Sequence, residues 1–364
     1  MISLVLLIIT LSCSTTSLPA EPGHLLYPAP IHGKYGFLDS NGRVVIEPRF
    51  DHVRLFSEGM AVVEVGEKYG FIDSEGTQIV PPKYENALSF SEGLAAVQIG
   101  QKWGYIDMSG RYVIEPRFGS QLGGAGSFSE GLAPVLFNSK MGYIDRSGRF
   151  VIEPRFEFAE EFSEGLAVVG MVPNEDRQRN DKRPKFGYID KTGRIVVALA
   201  YAGAHTFHEG LAVVAIYRIG VKFYPQAVID HSGAQVVGPV DAGIGDFHEG
   251  LARFSPYAGE GSGFVNKTGK QIISPRFHDF DDKGPTDFSE GLAAVSLSNG
   301  QSGYINRTGR MVISARFDIA CPFRGGMALV FKSDRVGYIS TTGKYVWSEP
   351  AGSMPDDEEP GCFW

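Results

Sequence analysis

Cysteine and tryptophan are scarce, with three of each in the 364 residues. No CxxC pair and no metal-ligand spacing of His and Cys occurs, so zinc-ribbon and thioredoxin-type sites are excluded. Beyond Cys13 only Cys321 and Cys362 remain. Two such thiols can pair in an oxidising compartment, but their spacing does not require it. Positive charge is also short: 34 Lys and Arg stand against 42 Asp and Glu, for a net charge of −8. With no basic stripe, nucleic-acid binding has no electrostatic footprint. GxSxG, P-loop and dinucleotide fingerprints are absent, so no cofactor, no resident metal and no catalytic residue is expected. Paired carboxylates of a hydrolase stay open, because only the fold decides their separation.

Long apolar runs are missing except one. Ile2 to Leu11 is ten residues long, too short to span a bilayer as a helix and suited to the apolar region of a secretory signal. "TLSC" resembles a bacterial lipoprotein cleavage box, which would make Cys13 a lipidation site; plain secretion with cleavage after Ala20 is the rival. The expected layout is a signal segment over 1–20, one repeat domain over 21–347, and a flexible tail over 348–364. That tail is Pro-rich and acidic through Asp356, Asp357, Glu358 and Glu359. The expected location is the cell envelope, lipid-anchored or periplasmic, with membrane contact only through that anchor.

What the chain has in abundance is repetition. GFID or GYID anchors occur at Gly36 (GFLD), Gly70, Gly104, Gly142 and Gly187, with weaker copies at Ala227 (AVID), Gly263, Gly303 and Gly337. VIEPRF stands at Val45, Val113 and Val151, with variants at Ile79, Ile272 and Val312. FSEG places Glu-Gly at Glu58 and Gly59, Glu92 and Gly93, Glu130 and Gly131, Glu164 and Gly165, Glu209 and Gly210, Glu249 and Gly250, and Glu290 and Gly291. FRGG at Phe323 is a degenerate eighth copy. The spacing defines about nine units, and a fixed period of this length means an array of small supersecondary blocks. The 46 Gly and 21 Pro exceed their usual combined share of roughly 12%, as many tight turns require.

Each unit reads as three short strands. LAVV, GYID and VIEP segments are rich in β-branched and aromatic residues. An Asp-x-x-Gly hairpin turn joins the last two at Asp39 and Gly42, Asp73 and Gly76, Asp107 and Gly110, Asp145 and Gly148, and Asp190 and Gly193. Asp230 repeats it, and Asn266 and Asn306 substitute for the Asp. Asn keeps the turn-capping oxygen without the charge, which suits a structural role and not a general base. The Phe of PRF is expected to turn inward beside the Phe of FSEG. The FSEG Glu either satisfies backbone amides or pairs with the Arg of PRF; alternatively, the Glu residues line a shared binding face. One unit alone buries about five apolar side chains at roughly 1.5–3 kcal/mol each, too little to offset ordering 34 residues at about 1 kcal/mol or more apiece. Units must therefore share cores with their neighbours.

The pattern K-W-G-Y-I-D-x-x-G-x-x-V-I-x-P-x-F, clearest in "QKWGYIDMSGRYVIEPRF" from Gln101, resembles the WG repeat family of bacterial proteins. The resemblance covers about residues 26–347. It implies β-strand repeats, envelope or surface placement and an interaction role; it carries over no catalytic residue.

Specificity is expected where the units differ. Val172 to Lys185 is a charged, Pro-flanked insertion. Asp279, Asp281, Gly284, Asp287 and Glu290 imitate the spacing of a calcium loop, but Lys283 occupies a ligand position and no helix pattern flanks it. His205, His208 and His248 fall in worn FSEG copies, where a turn role outweighs zinc binding. The chain is thus expected to be all-β, an open tandem array of about nine three-stranded antiparallel repeats, with a closed propeller-like ring as the alternative. The expected role is a non-enzymatic envelope scaffold binding protein, or glycan. Two rivals remain. A carbohydrate-binding array would expose the aromatics of KYG and PRF, and an envelope hydrolase would hold two carboxylates in one pocket of an irregular unit.

Overall fold

In the computed structural model the described residues are 25–119, 124–172, 183–259, 261–278, 285–355 and 362. Among them the chain forms nine small antiparallel sheets, each a meander in sequence order. The first blade is Tyr27–Ile31, Lys34–Leu38 and Val44–Phe50. The second is His52–Val53, Met60–Val65, Lys68–Asp73 and Gln78–Tyr84. The remaining seven span 86–118, 133–156, 158–201, 203–240, 242–277, 292–317 and 319–350. Six sheets have a fourth, two- or three-residue strand that precedes the FSEG turn and pairs with the LAVV strand.

The expected open array is corrected by the number of shared cores. Nine blades in an open stack bury eight interfaces, whereas nine apolar clusters exist, each drawn from two neighbouring blades. The ninth joins Tyr27, Ala29 and Leu38 of the first blade to Met327, Leu329 and Tyr338 of the last. The Tyr338 hydroxyl donates to the Pro28 carbonyl at 2.9 Å, and Gly33 N–H donates to Ser353 O at 2.9 Å. The molecule is a closed nine-bladed β-propeller. Closure buries one more interface at no extra chain length and removes the two exposed end faces an open stack would keep.

The worn FRGG copy belongs to this seam. Gly325 occupies the position held elsewhere by Glu, and a Cβ there would lie 2.5 Å from Leu25 Cδ2 and from Tyr27 Oη. The Tyr27 hydroxyl instead donates to the Gly325 carbonyl at 2.8 Å.

The glycine of GYID has a packing cause that the repeat pattern does not show. The facing outer strand bulges: Tyr35 pairs with Phe50 but Phe37 pairs with Ile46. In seven blades the outer-strand backbone crosses over the glycine at this bulge, and in the ninth Gly337 pairs in register with Ser348; in all eight a Cβ would sit 2.2–2.6 Å from a carbonyl oxygen. The sixth blade carries Ala227 instead. There Gln226 pairs with Val240 and Val228 with Val237, a bulge one residue shorter, which leaves room for the methyl.

Candidate functional site

The repeated polar residues form the frame. At each Asp-x-x-Gly turn one carboxylate oxygen accepts two backbone amides, as Asp39 Oδ1 does from Asn41 at 2.8 Å and Arg43 at 2.9 Å. Asp73, Asp107, Asp145, Asp190 and Asp230 repeat this bond for bond. Asn266 and Asn306 do so without charge. The Thr192 hydroxyl and the Arg194 guanidinium hold Asp190 at about 2. Gly42, Gly76, Gly110, Gly148 and Gly193 close these turns at φ of 76–82°.

The FSEG turns are two-residue hairpins of the type that needs positive φ at both central residues. Ser57 and Met60 exchange both backbone hydrogen bonds, and Glu58 and Gly59 have φ of 52° and 81°. All seven Glu residues of the motif adopt this left-handed conformation, at a cost on the order of 1–2 kcal/mol each. The return is a bond to the next blade. The Glu58 carboxylate accepts Glu92 N–H and Gly93 N–H, both at 2.8 Å. Glu92 reaches Gly131, Glu130 reaches Gly165, Glu164 reaches Gly210, Glu209 reaches Gly250, Glu249 reaches Gly291, and Glu290 reaches Gly326. Charge-assisted bonds of this kind contribute about 1.5–3 kcal/mol. The Arg of PRF does not pair with this Glu: Arg49, Arg117, Arg155, Arg276 and Arg316 donate to the Asp-x-x-Gly carbonyl of the following blade. The Phe of PRF turns inward into the core that holds the next FSEG Phe, Phe118 with Phe128 and Phe156 with Phe162, and the FSEG Phe also meets a GYID-position ring. Phe90 meets the GYID-position ring of Phe71 edge-on at 4.9 Å, and Phe128 meets Tyr105 in the same way.

Unrepeated chemistry collects elsewhere. The two residues before each FSEG Phe are Gly126 and Ser127, Glu160 and Glu161, His205 and Thr206, Gly245 and Asp246, Thr286 and Asp287, and Cys321 and Pro322 in the fourth to ninth blades. Neighbouring copies of this position touch, as only residues near the axis of a propeller can. Glu161 accepts Ser127 N–H at 3.0 Å, and His205 Nδ1 lies 2.9 Å from Asp246 Oδ1. Beside them His248 Nε2 lies 3.5 Å from Asp287 Oδ2, and the rings of His208 and His248 are 5.4 Å apart. An open cavity of about 590 Å³ is lined here by His205, Asp246, His248, Arg253, Asp287 and Cys362. Cys362 is held at the cavity by a disulfide to Cys321.

The two aspartates sit in unlike environments. Burial alone would raise Asp246, but its bond to His205 and the nearby His208 and His248 outweigh burial and hold it low. Burial, reinforced by the charge of Asp246, pushes Asp287 up against the pull of His248 and Arg253. Burial and Glu161 raise Glu160 in the same way. His205 is raised by its bond to Asp246. Among the described residues no three His, Cys, Asp or Glu converge as a metal site, so His205, His208 and His248 do not gather around zinc. Of the calcium-like loop, Asp279, Asp281 and Gly284 lie outside the described residues, as does Cys13; Asp287 faces the cavity, and the Glu290 carboxylate accepts the Gly326 amide as part of the frame. Most of the Val172–Lys185 insertion and the acidic tail residues are outside them too.

Because the folded-state value of His205 is raised, the pair stabilises the protein below the ordinary histidine value near 6.5. That stability is lost as pH rises through the raised value. His205 is 45% exposed, so the effect stays below about 1 kcal/mol. An NMR titration is expected to place His205 above the ordinary histidine range and to return it there in Asp246→Asn; an unchanged midpoint in that variant refutes the pairing.

Seven segments, 35–69, 69–103, 103–140, 141–171, 186–216, 263–300 and 303–335, match the WG containing repeat. The chain belongs to this repeat family. The WG units that match stop at 216 and resume at 263, and Asp246, His248 and Arg253 lie in the stretch between them. No curated protein sequence matches the chain. Among solved structures, one described as the eukaryotic initiation factor superposes with a TM-score of 0.64 at 10% identity, covering 90% of this chain and 96% of that one. The computationally designed Ika8 protein gives 0.46 at 11% identity, over 80% and 93%. The first likeness concerns the fold alone.

Proposed function

We propose that this WG propeller is an exported, non-enzymatic binding scaffold of the bacterial cell envelope. It receives a protein partner at the axial cavity through a Lys- or Arg-bearing segment. One observation carries this reading: the repeated polar residues are engaged in the frame, while the unrepeated carboxylates Asp246 and Asp287 line one cavity, with Glu160 in electrostatic reach of Asp246 and His205. A cation placed beside them offsets the burial, reinforced by neighbouring negative charge, that raises Asp287 and Glu160. Export is supported by the Ile2 to Leu11 run and the TLSC box ending at Cys13. The glycan alternative loses its motivating feature at the PRF position, because Phe50, Phe118, Phe156, Phe277 and Phe317 are buried.

The test is cross-linked capture from envelope extract. Asp246→Asn with Asp287→Asn is expected to lower recovery of the partner at least about tenfold, as loss of two charge contacts implies. Undiminished recovery refutes the axial site. The hydrolase alternative keeps one favouring observation, since environments that hold Asp246 low and Asp287 high are those of an acid–base pair. Turnover of a peptidoglycan, glycan or ester substrate that disappears in Asp287→Asn would replace the binding reading with that one.

A further inference from the structure

The sixth blade breaks the repeat at a second place, at the end of the blade away from its Glu-Gly turn. In the second blade the LAVV and GYID strands are joined by two residues, Gly66 and Glu67. In the sixth, Leu211–Ala215 and Gln226–Asp230 are joined by a ten-residue loop, 216–225. Its tip holds apolar side chains in water: Ile219 is wholly exposed, Phe223 is 52% exposed and Val221 is 37% exposed.

The base of the loop is firmly tied. The Tyr257 hydroxyl donates to Tyr224 O at 2.9 Å, and the Tyr217 hydroxyl donates to Pro184 O at 3.0 Å. The Phe223 and Tyr257 rings are 5.1 Å apart. A tethered base with its apolar residues aimed outward gains nothing in water and gains when those residues leave it.

Charge around the tip runs against the rest of the molecule. In a chain of net charge −8, the loop itself carries Arg218 and Lys222 and no carboxylate. Asp241 lies 3.0 Å from the Arg218 guanidinium. The Lys222 ammonium lies 5.0 Å from the Phe223 ring, and the Arg183 guanidinium 5.8 Å from the Tyr217 ring. Aliphatic tip, aromatic collar and cationic flank are the composition that partitions into the headgroup and acyl boundary of an anionic bilayer. A protein interface needs about 800 Å² per partner, more than one convex loop tip offers. A bilayer accepts a tip of three side chains.

We propose that the 216–225 loop is a peripheral membrane contact that inserts Ile219, Val221 and Phe223 into an anionic phospholipid leaflet, with Lys222 at the phosphates. This is independent of the axial cavity and of any lipid on Cys13.

The test uses the full-length chain carrying Cys13→Ala, with phosphatidylcholine vesicles containing or lacking phosphatidylglycerol. In that background Ile219→Trp is expected to add an emission component that shifts to the blue and is quenched by brominated acyl chains, with phosphatidylglycerol vesicles only. Val221→Asp with Phe223→Asp is expected to lower vesicle partitioning at least about tenfold, with the circular dichroism unchanged because both side chains are exposed. Lys222→Glu is expected to weaken partitioning and flatten its salt dependence. An added emission component in Ile219→Trp that ignores phosphatidylglycerol vesicles overturns the proposal. So does partitioning that the two aspartates leave intact, which would place the contact on the N-terminal apolar run.

Discussion

Deleting the first blade, residues 25–50, is expected to abolish cooperative folding of everything that follows. Two clusters are opened at once. Tyr27, Ala29, Ile31 and Leu38 leave the core they share with Met327, Leu329 and Tyr338. Tyr35, Phe37, Ile46 and Phe50 leave the one they share with Ala61, Val63 and Ile72. Burying one large apolar side chain contributes roughly 1.5–3 kcal/mol. Seven such losses, with the smaller one of Ala29, match or exceed the roughly 5–15 kcal/mol by which whole proteins are stable. An open stack would respond differently, since removing a terminal unit only moves the exposed end inward and lowers the melting temperature a little. Circular dichroism melting with size-exclusion chromatography separates the two outcomes. A monomer that melts cooperatively near the parent temperature contradicts ring closure.

Gly104→Val is expected to destabilise the protein by at least about 3 kcal/mol, within the range reserved for substitutions that force buried backbone apart. A Cβ there would stand 2.5 Å from Ile114 O, 2.7 Å from Pro116 N and 3.0 Å from Glu115 C. All three are backbone atoms of the bulged outer strand, so no side chain can rotate out of the way. Trp103 pairs with Phe118 while Tyr105 pairs with Ile114, which locks the crossing in place. The reciprocal change at the sixth blade, Ala227→Gly, is expected to cost no more than about 1 kcal/mol, the usual penalty of a glycine in a strand. Chemical denaturation of the two variants compares them directly. Similar losses would mean that the glycine serves turn flexibility and not clearance under the bulge.

Much of the candidate site lay beyond the reach of pattern. His205, His208 and His248 stand out as departures from FSEG, and Asp287 as a member of a calcium-like spacing. Asp246 carries no signal of its own in the sequence, because a lone Asp before Phe247 looks like any solvated turn residue. What makes it matter is a neighbour 41 positions away, His205, and that distance is bridged only by the stacking of two blades. Comparing the two residues before each FSEG Phe across the units would have found Asp246, since that column changes from Gly126 and Ser127 to Glu160 and Glu161, His205, Asp246 and Asp287. The loop tip at Ile219 is equally ordinary as a string of letters; its exposure follows from the hairpin that holds it out.

The sequence by itself determined the unit: its strands, its Asp-x-x-Gly turns, its count near nine and its dependence on neighbours. These depend on contacts within about 34 residues, where periodic composition and turn chemistry act directly. Tertiary structure alone decided that the array closes, that the FSEG Glu binds the next blade's amides, and that Gly325 and Ala227 are fitted exceptions. The physical reason is that closure depends on the small rotation between adjacent blades. That rotation is set by side-chain packing in the shared cores, and no single repeat encodes it.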